Sequence, residues 1–206
     1  MAQAVDAKQQ AATVTAHQIN IQVAKQLANL VRSTLGPYGM DKEMVDAAGE
    51  VVMTNDGATI LKATKLGHPT AKIITEVART QEENCYDGTT SSVVITGELM
   101  DKASGLLDKN IHPTRIAKGY VMANRKAQEC LKEISITVND ELLLAVANTA
   151  MTGKSVESEQ DALAKIALAV VKSTTLDNIS IVKRPNGKVS ESIAIAGLLI
   201  DREKMT

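Results

Sequence analysis

The sequence predicts a mainly α fold: a helical bundle followed by a smaller α+β segment. Two observations predict it. Apolar residues recur at helical spacing through most of the first two thirds of the chain, whereas strand-like patterns there are short. The apolar residues, 44% of 206, include no Phe and no Trp, so Ala, Val, Ile, Leu and Met must fill the core, which suits close helix packing.

Residues 1–15 are polar and Gln/Ala-rich and are expected to form a flexible tail. Over 16–34, Ile19, Val23, Leu27, Leu30, Val31 and Thr34 mark one helix face, and Gly36-Pro37-Tyr38-Gly39 breaks the helix. Residues 43–46 and 51–54 read as a short strand pair around Ala48-Gly49-Glu50. Asn55-Asp56-Gly57 is a turn into a helix over 58–65. A helix after Pro69 carries Ile73, Ile74, Val77 and Ala78 on one face. The helix after Asp87 runs to about Asp108, with an apolar face broad enough to predict burial, and another spans 113–133. The character changes near Ile134. Residues 135–138 read as a strand, 139–150 and 159–173 as shorter helices, and 178–183 and 193–200 as strands around Pro185-Asn186-Gly187. A domain boundary is expected within 138–150.

Net charge is −1 with both signs interspersed, so no basic face suggests nucleic acid, and three tyrosines offer little base stacking. No apolar run approaches membrane-spanning length, and no signal core opens the chain. Cys85 and Cys130 are read as two reduced thiols of a cytosolic protein. His68 and His112 each precede a proline and read as helix-start residues rather than metal ligands.

The most informative segment is Tyr86-Asp87-Gly88-Thr89-Thr90-Ser91-Ser92. Asp87 can cap the long helix, the N–H groups of whose first turn then form an anion site, and the hydroxyls of Thr89, Thr90 and Ser91 can reach phosphate oxygens. A carboxylate among phosphate-binding groups calls for a cation between them, usually Mg2+. Leu35-Gly36-Pro37, Asn55-Asp56-Gly57 and Asp87-Gly88-Thr89 are three glycine-containing breaks. If they converge, their backbones form an anion cradle, one carboxylate holding Mg2+ and the other activating a water. The alternative is that each is simply a turn. Thr152-Gly153-Lys154-Ser155 looks like the end of a P-loop, but the required earlier glycine is Asn148. Lys154 then binds phosphate as a point charge or is a solvated loop lysine. The sequon at Asn178 has no secretory signal to accompany it.

Taken together, Thr34-Leu35-Gly36-Pro37-Tyr38-Gly39-Met40-Asp41-Lys42, 52–61, His68-Pro69, Asp87-Gly88-Thr89-Thr90, 110–113, Lys118-Gly119-Tyr120 and Met151-Thr152-Gly153-Lys154 form a series. Its order and spacing resemble the N-terminal part of group II chaperonin subunits, the archaeal thermosome and eukaryotic cytosolic chaperonin type. The resemblance implies an equatorial, ATP-binding part over 16–140 (the outgoing half of that domain) and an intermediate, hinge part over 141–206, with no apical domain within these residues. It implies ATP, Mg2+ and a monovalent cation, K+, as cofactors. Thr34, Leu35 and Gly36, with Pro37, match the loop that contacts phosphate and the monovalent cation. Asp56 and Gly57 match the segment beside the γ-phosphate, with Asp56 catalytic. Asp87 matches the Mg2+ ligand, and Gly88, Thr89, Thr90 and Ser91 fall at the phosphate-binding helix start. Thr152, Gly153 and Lys154 match the hinge loop whose lysine senses the γ-phosphate.

The implied function is ATP-dependent folding of unfolded polypeptides by a cytoplasmic ring of identical or homologous subunits, with no nucleic acid or membrane partner. ATP hydrolysis is implied only with the returning half of the equatorial domain supplied. Two departures bear on nucleotide affinity: Tyr38 stands where the family commonly has Lys or Arg, and Tyr86 where it usually has Gly, a residue that tolerates positive φ. A second reading is a non-hydrolysing chaperonin-like interaction module, or a split fragment needing a second chain. A small-molecule phosphotransferase is the weakest, with no Walker A or kinase signature.

Overall fold

A computed structural model describes residues 2–45, 49–64, 67–197 and 199, with side chains from Ala16 onward. Met1, Asp46, Ala48, Lys65, Leu198 and Ile200, parts of segments expected above, and residues 201–206 of the expected hinge part lie outside the described residues. The chain divides into two compact units, Met1–Glu133 and Ile134–Thr206.

In the first unit, α1 spans Ala2–Arg32. The expected tail over 1–15 is thus helical from Ala2: its residues are mostly Ala, Gln and other helix-compatible types, with no Gly or Pro to stop the helix. The buried line is Ile21, Ala24, Leu27, Ala28 and Val31, at three- and four-residue spacing, while Ile19 faces out. A hairpin follows, β1 (Lys42–Val45) antiparallel to β2 (Val51–Thr54), with Lys42 opposite Thr54 and Val45 opposite Val51. Then come α2 (Gly57–Ala63), α3 (Pro69–Cys85), α4 (Thr89–Leu107) and α5 (Pro113–Ile134). His68 caps α3 through Nδ1, which accepts the Thr70 N–H at 3.2 Å, and His112 Nδ1 accepts the Thr114 N–H at 3.3 Å. Both histidines are therefore helix-start residues. On α3 the buried line is Ala71, Ile74 and Ala78, and Ile73 is 65% exposed.

One core joins α1 to α4: Leu27 and Val31 from α1, Ile60 and Leu61 from α2, Ile74 from α3 and Val93 from α4, among small alanines. The closest approach is between α1 and α4, where a Cβ on Gly97 would fall 2.2 Å from Ala28 Cβ. Lys25 pairs with Asp101 at 2.7 Å and Arg32 with Glu98. Lys25 meets the later α4 residue Asp101 and Arg32 the earlier Glu98, so the two helices run antiparallel over this stretch. The apolar face of α4 is only partly covered: Val93, Gly97 and Ala103 are buried, but Ile95 and Leu99 are exposed. Ile116 is the one buried residue of α5, whose Val121, Leu131 and Ile134 lie open. Cys85 and Cys130 are exposed free thiols.

In the second unit, Asn139 caps α6 (Asp140–Met151) by accepting the Leu142 N–H at 2.8 Å. Helix α7 (Gln160–Ser173) runs antiparallel to α6, with Asn148 bonded to Asp161 at 2.9 Å and Lys172 paired with Asp140. The strands expected over 135–138, 178–183 and 193–200 are absent among the described residues; single 3₁₀ turns at Leu176–Asn178 and Val189–Glu191 punctuate extended chain. The alternation of apolar residues is present there, but Ile181, Ile193 and Ile195 are exposed. A two-strand ladder with neither face covered is marginal in water. Among the described residues no helix is long and apolar enough to cross a membrane.

Candidate functional site

The second and third of the three breaks meet at the start of α4. The first is the exit from α1. Thr34, buried, donates from Oγ1 to the Val31 carbonyl at 2.8 Å. Gly36 then turns left-handed (φ +86°), and a β-turn closes with the Gly39 N–H donating to the Gly36 carbonyl at 2.9 Å. Leu35 is half-exposed, and Tyr38, after Pro37 in that turn, is 96% exposed. A Cβ on Gly39 would strike the Thr34 carbonyl at 2.3 Å, so only glycine lets the loop fold back on itself.

The second break is Asp56, the N-cap of α2. Its Oδ2 accepts both the Thr59 N–H, at 2.8 Å, and the Thr59 hydroxyl, at 2.7 Å. Its Oδ1 accepts the Thr89 hydroxyl at 3.3 Å, which links the second break to the third. Partial burial pushes the Asp56 carboxyl up, but hydrogen bonds from Thr59, Thr89 and the Ala58 backbone outweigh it, so the group titrates below the ordinary aspartate value. Gly57 packs directly on the start of α4: a Cβ there would lie 2.7 Å from Thr90 Oγ1 and 3.1 Å from Thr90 Cα.

The third break differs from expectation in one respect. Gly88, not Asp87, is the N-cap of α4; it is left-handed (φ +78°), and no side chain caps the helix. The Asp87 carboxylate instead accepts the Gly88 N–H through Oδ1 at 2.7 Å. The first intrahelical bond runs from the Ser92 N–H to the Gly88 carbonyl, so the N–H groups of Thr89, Thr90 and Ser91 have no intrahelical acceptor. Thr90 is buried, Thr89 half-buried, and Asp87 exposed.

Tyr86 closes α3 in the left-handed region at φ 55° and is 74% exposed. The position does demand positive φ, and a non-glycine residue held there costs about 1 kcal/mol. Tyr86→Gly is therefore expected to raise unfolding stability by up to about 1 kcal/mol, read as a higher urea midpoint with unchanged m. A lower midpoint would mean that the tyrosine ring contributes packing this geometry does not show.

Gly153 and Lys154 belong to the second unit. Gly153 is left-handed (φ +75°) and donates its N–H to Glu157 Oε2 at 3.1 Å; Lys154 is exposed and forms no ion pair among the described residues. Two residues of the first-unit site escaped the sequence reading. The Thr59 contact was findable, because an Asp at an N-cap accepts the N–H of the residue two or three further on. Gln81, whose Nε2 donates to the Asp87 carbonyl at 2.9 Å, had no signal short of the α3–α4 turn itself.

The donor set suits a phosphate-bearing ligand. Unpaired N–H groups at the positive end of a helix, flanked by short hydroxyls and by glycine, bind anions. Among the described residues no three His, Cys, Asp or Glu side chains cluster as a metal site. Of the two aspartates, Asp87 is the exposed one, with a carboxylate open to a cation beside these groups.

Residues 27–206 match the model of the TCP-1/cpn60 chaperonin family. The chain belongs to that family. It is 47% identical over 201 residues to a thermosome subunit of Pyrococcus horikoshii, covering 91% of this chain and 37% of that protein. It is 48% identical, with the same coverage, to a thermosome subunit beta of Thermococcus kodakarensis. A thermosome subunit beta of Methanothermobacter thermautotrophicus is 47% identical over 197 residues, 92% of this chain and 37% of the relative. This chaperonin-family chain thus spans well under half the length of these relatives. Its mainly α fold agrees with the family expectation.

Proposed function

We propose that the chain is the nucleotide-binding part of an ATP-dependent chaperonin subunit, acting in the cytoplasm within a ring of identical or homologous subunits on unfolded polypeptides. The single observation that carries this reading is the uncapped start of α4, set between two aspartates and against Gly57. In this reading Thr89, Thr90 and Ser91 bind phosphate oxygens through backbone N–H and hydroxyl groups, helped by Gly57 and Gly88. Asp87 would hold Mg2+, which neutralises phosphate charge when bound. Asp56, kept ionised by Thr59 and Thr89, would accept a proton from, and so orient, an attacking water. The Thr34–Pro37 loop would border the phosphates, with K+ beside it, and Lys154 would respond to the γ-phosphate as a point charge. Hydrolysis would then couple to a conformational change of the ring.

A ligand that binds only the native state must raise its melting temperature. The full chain is expected to melt higher with Mg-ATP than with ATP and EDTA, and Asp87→Ala to abolish that Mg2+-dependent difference, each protein being compared with its own ligand-free melting temperature. The uncovered face of α5 and the strained Tyr86 favour a second reading, an interaction module without ATPase activity. Indifference of the wild-type chain to Mg-ATP would count against nucleotide binding by this chain alone and in favour of that reading or of a fragment that needs a second chain.

A further inference from the structure

We infer that Gln81 is a positioning residue for Asp87, setting how tightly a divalent cation is held; the inference rests on the nucleotide-site reading above. The loop joining α3 to α4 is three residues long, and two of them, Tyr86 and Gly88, are left-handed. Asp87 sits between them and is exposed. Left to itself, such a loop has little to fix the peptide plane on which the aspartate is mounted. Two hydrogen bonds fix it. The Gly88 N–H holds Oδ1 at 2.7 Å from one side. The Gln81 carboxamide, one turn back on α3, donates to the Asp87 carbonyl at 2.9 Å from the other. A carbonyl can only accept, so the NH₂ end of Gln81 must face it. Gln81 also lies against Gly88: a Cβ on that glycine would sit 3.1 Å from Gln81 Nε2. With backbone and Oδ1 both held, Oδ2 is the carboxylate oxygen with no hydrogen bond among the described residues, and its direction is set by the two that are engaged.

A partner that orients a ligand is felt chiefly by the metal and not by groups that bind phosphate directly; loss of such an outer contact typically costs 10–100-fold in metal affinity. Gln81→Met keeps the shape and removes the donor. In the full chain, nucleotide binding is measured by calorimetry at a series of free Mg2+ concentrations and again in EDTA. Gln81→Met is expected to raise the Mg2+ concentration for half-maximal enhancement about tenfold, and to leave both affinity in EDTA and the ligand-free melting temperature at wild-type values. An unchanged Mg2+ midpoint, or an equal loss with and without Mg2+, overturns the inference, the second outcome marking a general structural role. Asp87→Ala run alongside separates the two levels of argument. If it does not change the Mg2+ dependence, the nucleotide-site reading fails and this inference falls with it. If it does and Gln81→Met does not, only the role of Gln81 is lost.

Discussion

Gly97→Val is expected to destabilise the first unit by about 2–3 kcal/mol, the largest effect of any single substitution considered. Gly97 lies mid-way along α4, opposite Ala28 of α1, and an added Cβ would stand 2.2 Å from Ala28 Cβ and 3.2 Å from the Ala24 carbonyl oxygen. Neither neighbour can rotate away: one is a β-carbon fixed to its backbone and the other is backbone itself. The helices must therefore separate, and separation loosens Leu27, Val31 and Val93, which are packed together in the core. Gly105, on the same helix, gives the control. A Cβ there meets nothing within 4 Å, so Gly105→Ala should stabilise by about 0.5–1 kcal/mol through helix propensity alone. Urea unfolding followed by circular dichroism measures both. Opposite signs at the two glycines locate the α1–α4 seam; equal, small effects would mean that the helices do not approach as described.

That seam shows where legibility from sequence ends. The helices were readable because their apolar periodicity is long, and their starts at His68 and His112 because proline follows each histidine. The face of α1 was read only in part, since alanine carries little periodic signal: Ala24 and Ala28, both fully buried, make the close contact. Gly97 likewise carries no apolar signal, yet its missing side chain is the feature that packs. The two late strands were overcalled because alternation reports a pattern, not a partner, and among the described residues neither segment finds one. At the site, the residue types of all three breaks were legible. The division of labour between Asp87 and Gly88 at the start of α4 was not, because it depends on left-handed residues on both sides of Asp87, Tyr86 and Gly88, that composition does not encode.

Asp56 is the place where fold and site depend on the same atoms, and substitutions there should separate the two. Asp56→Ala removes the acceptor for the Thr59 N–H and for two hydroxyls, so it is expected to cost about 1–2 kcal/mol at pH 7, the range of a lost N-cap. Asp56→Asn keeps one acceptor oxygen for the Thr59 N–H and should retain most of the cap. The variants also differ in acid. The folded carboxyl titrates below its unfolded value, so the wild-type gains stability from it at pH above the unfolded pKa of about 3.9 and loses that gain as pH falls through the folded pKa. Asn cannot titrate. The stability difference between wild type and Asp56→Asn should therefore shrink as pH drops from about 5 towards 2, as the wild-type carboxylate becomes protonated. Urea midpoints across that range test it. A difference that stays constant with pH would show that the hydrogen bonds from Thr59 and Thr89 do not favour the ionised form, and would remove the basis for giving Asp56, the N-cap of α2, a charge-dependent role.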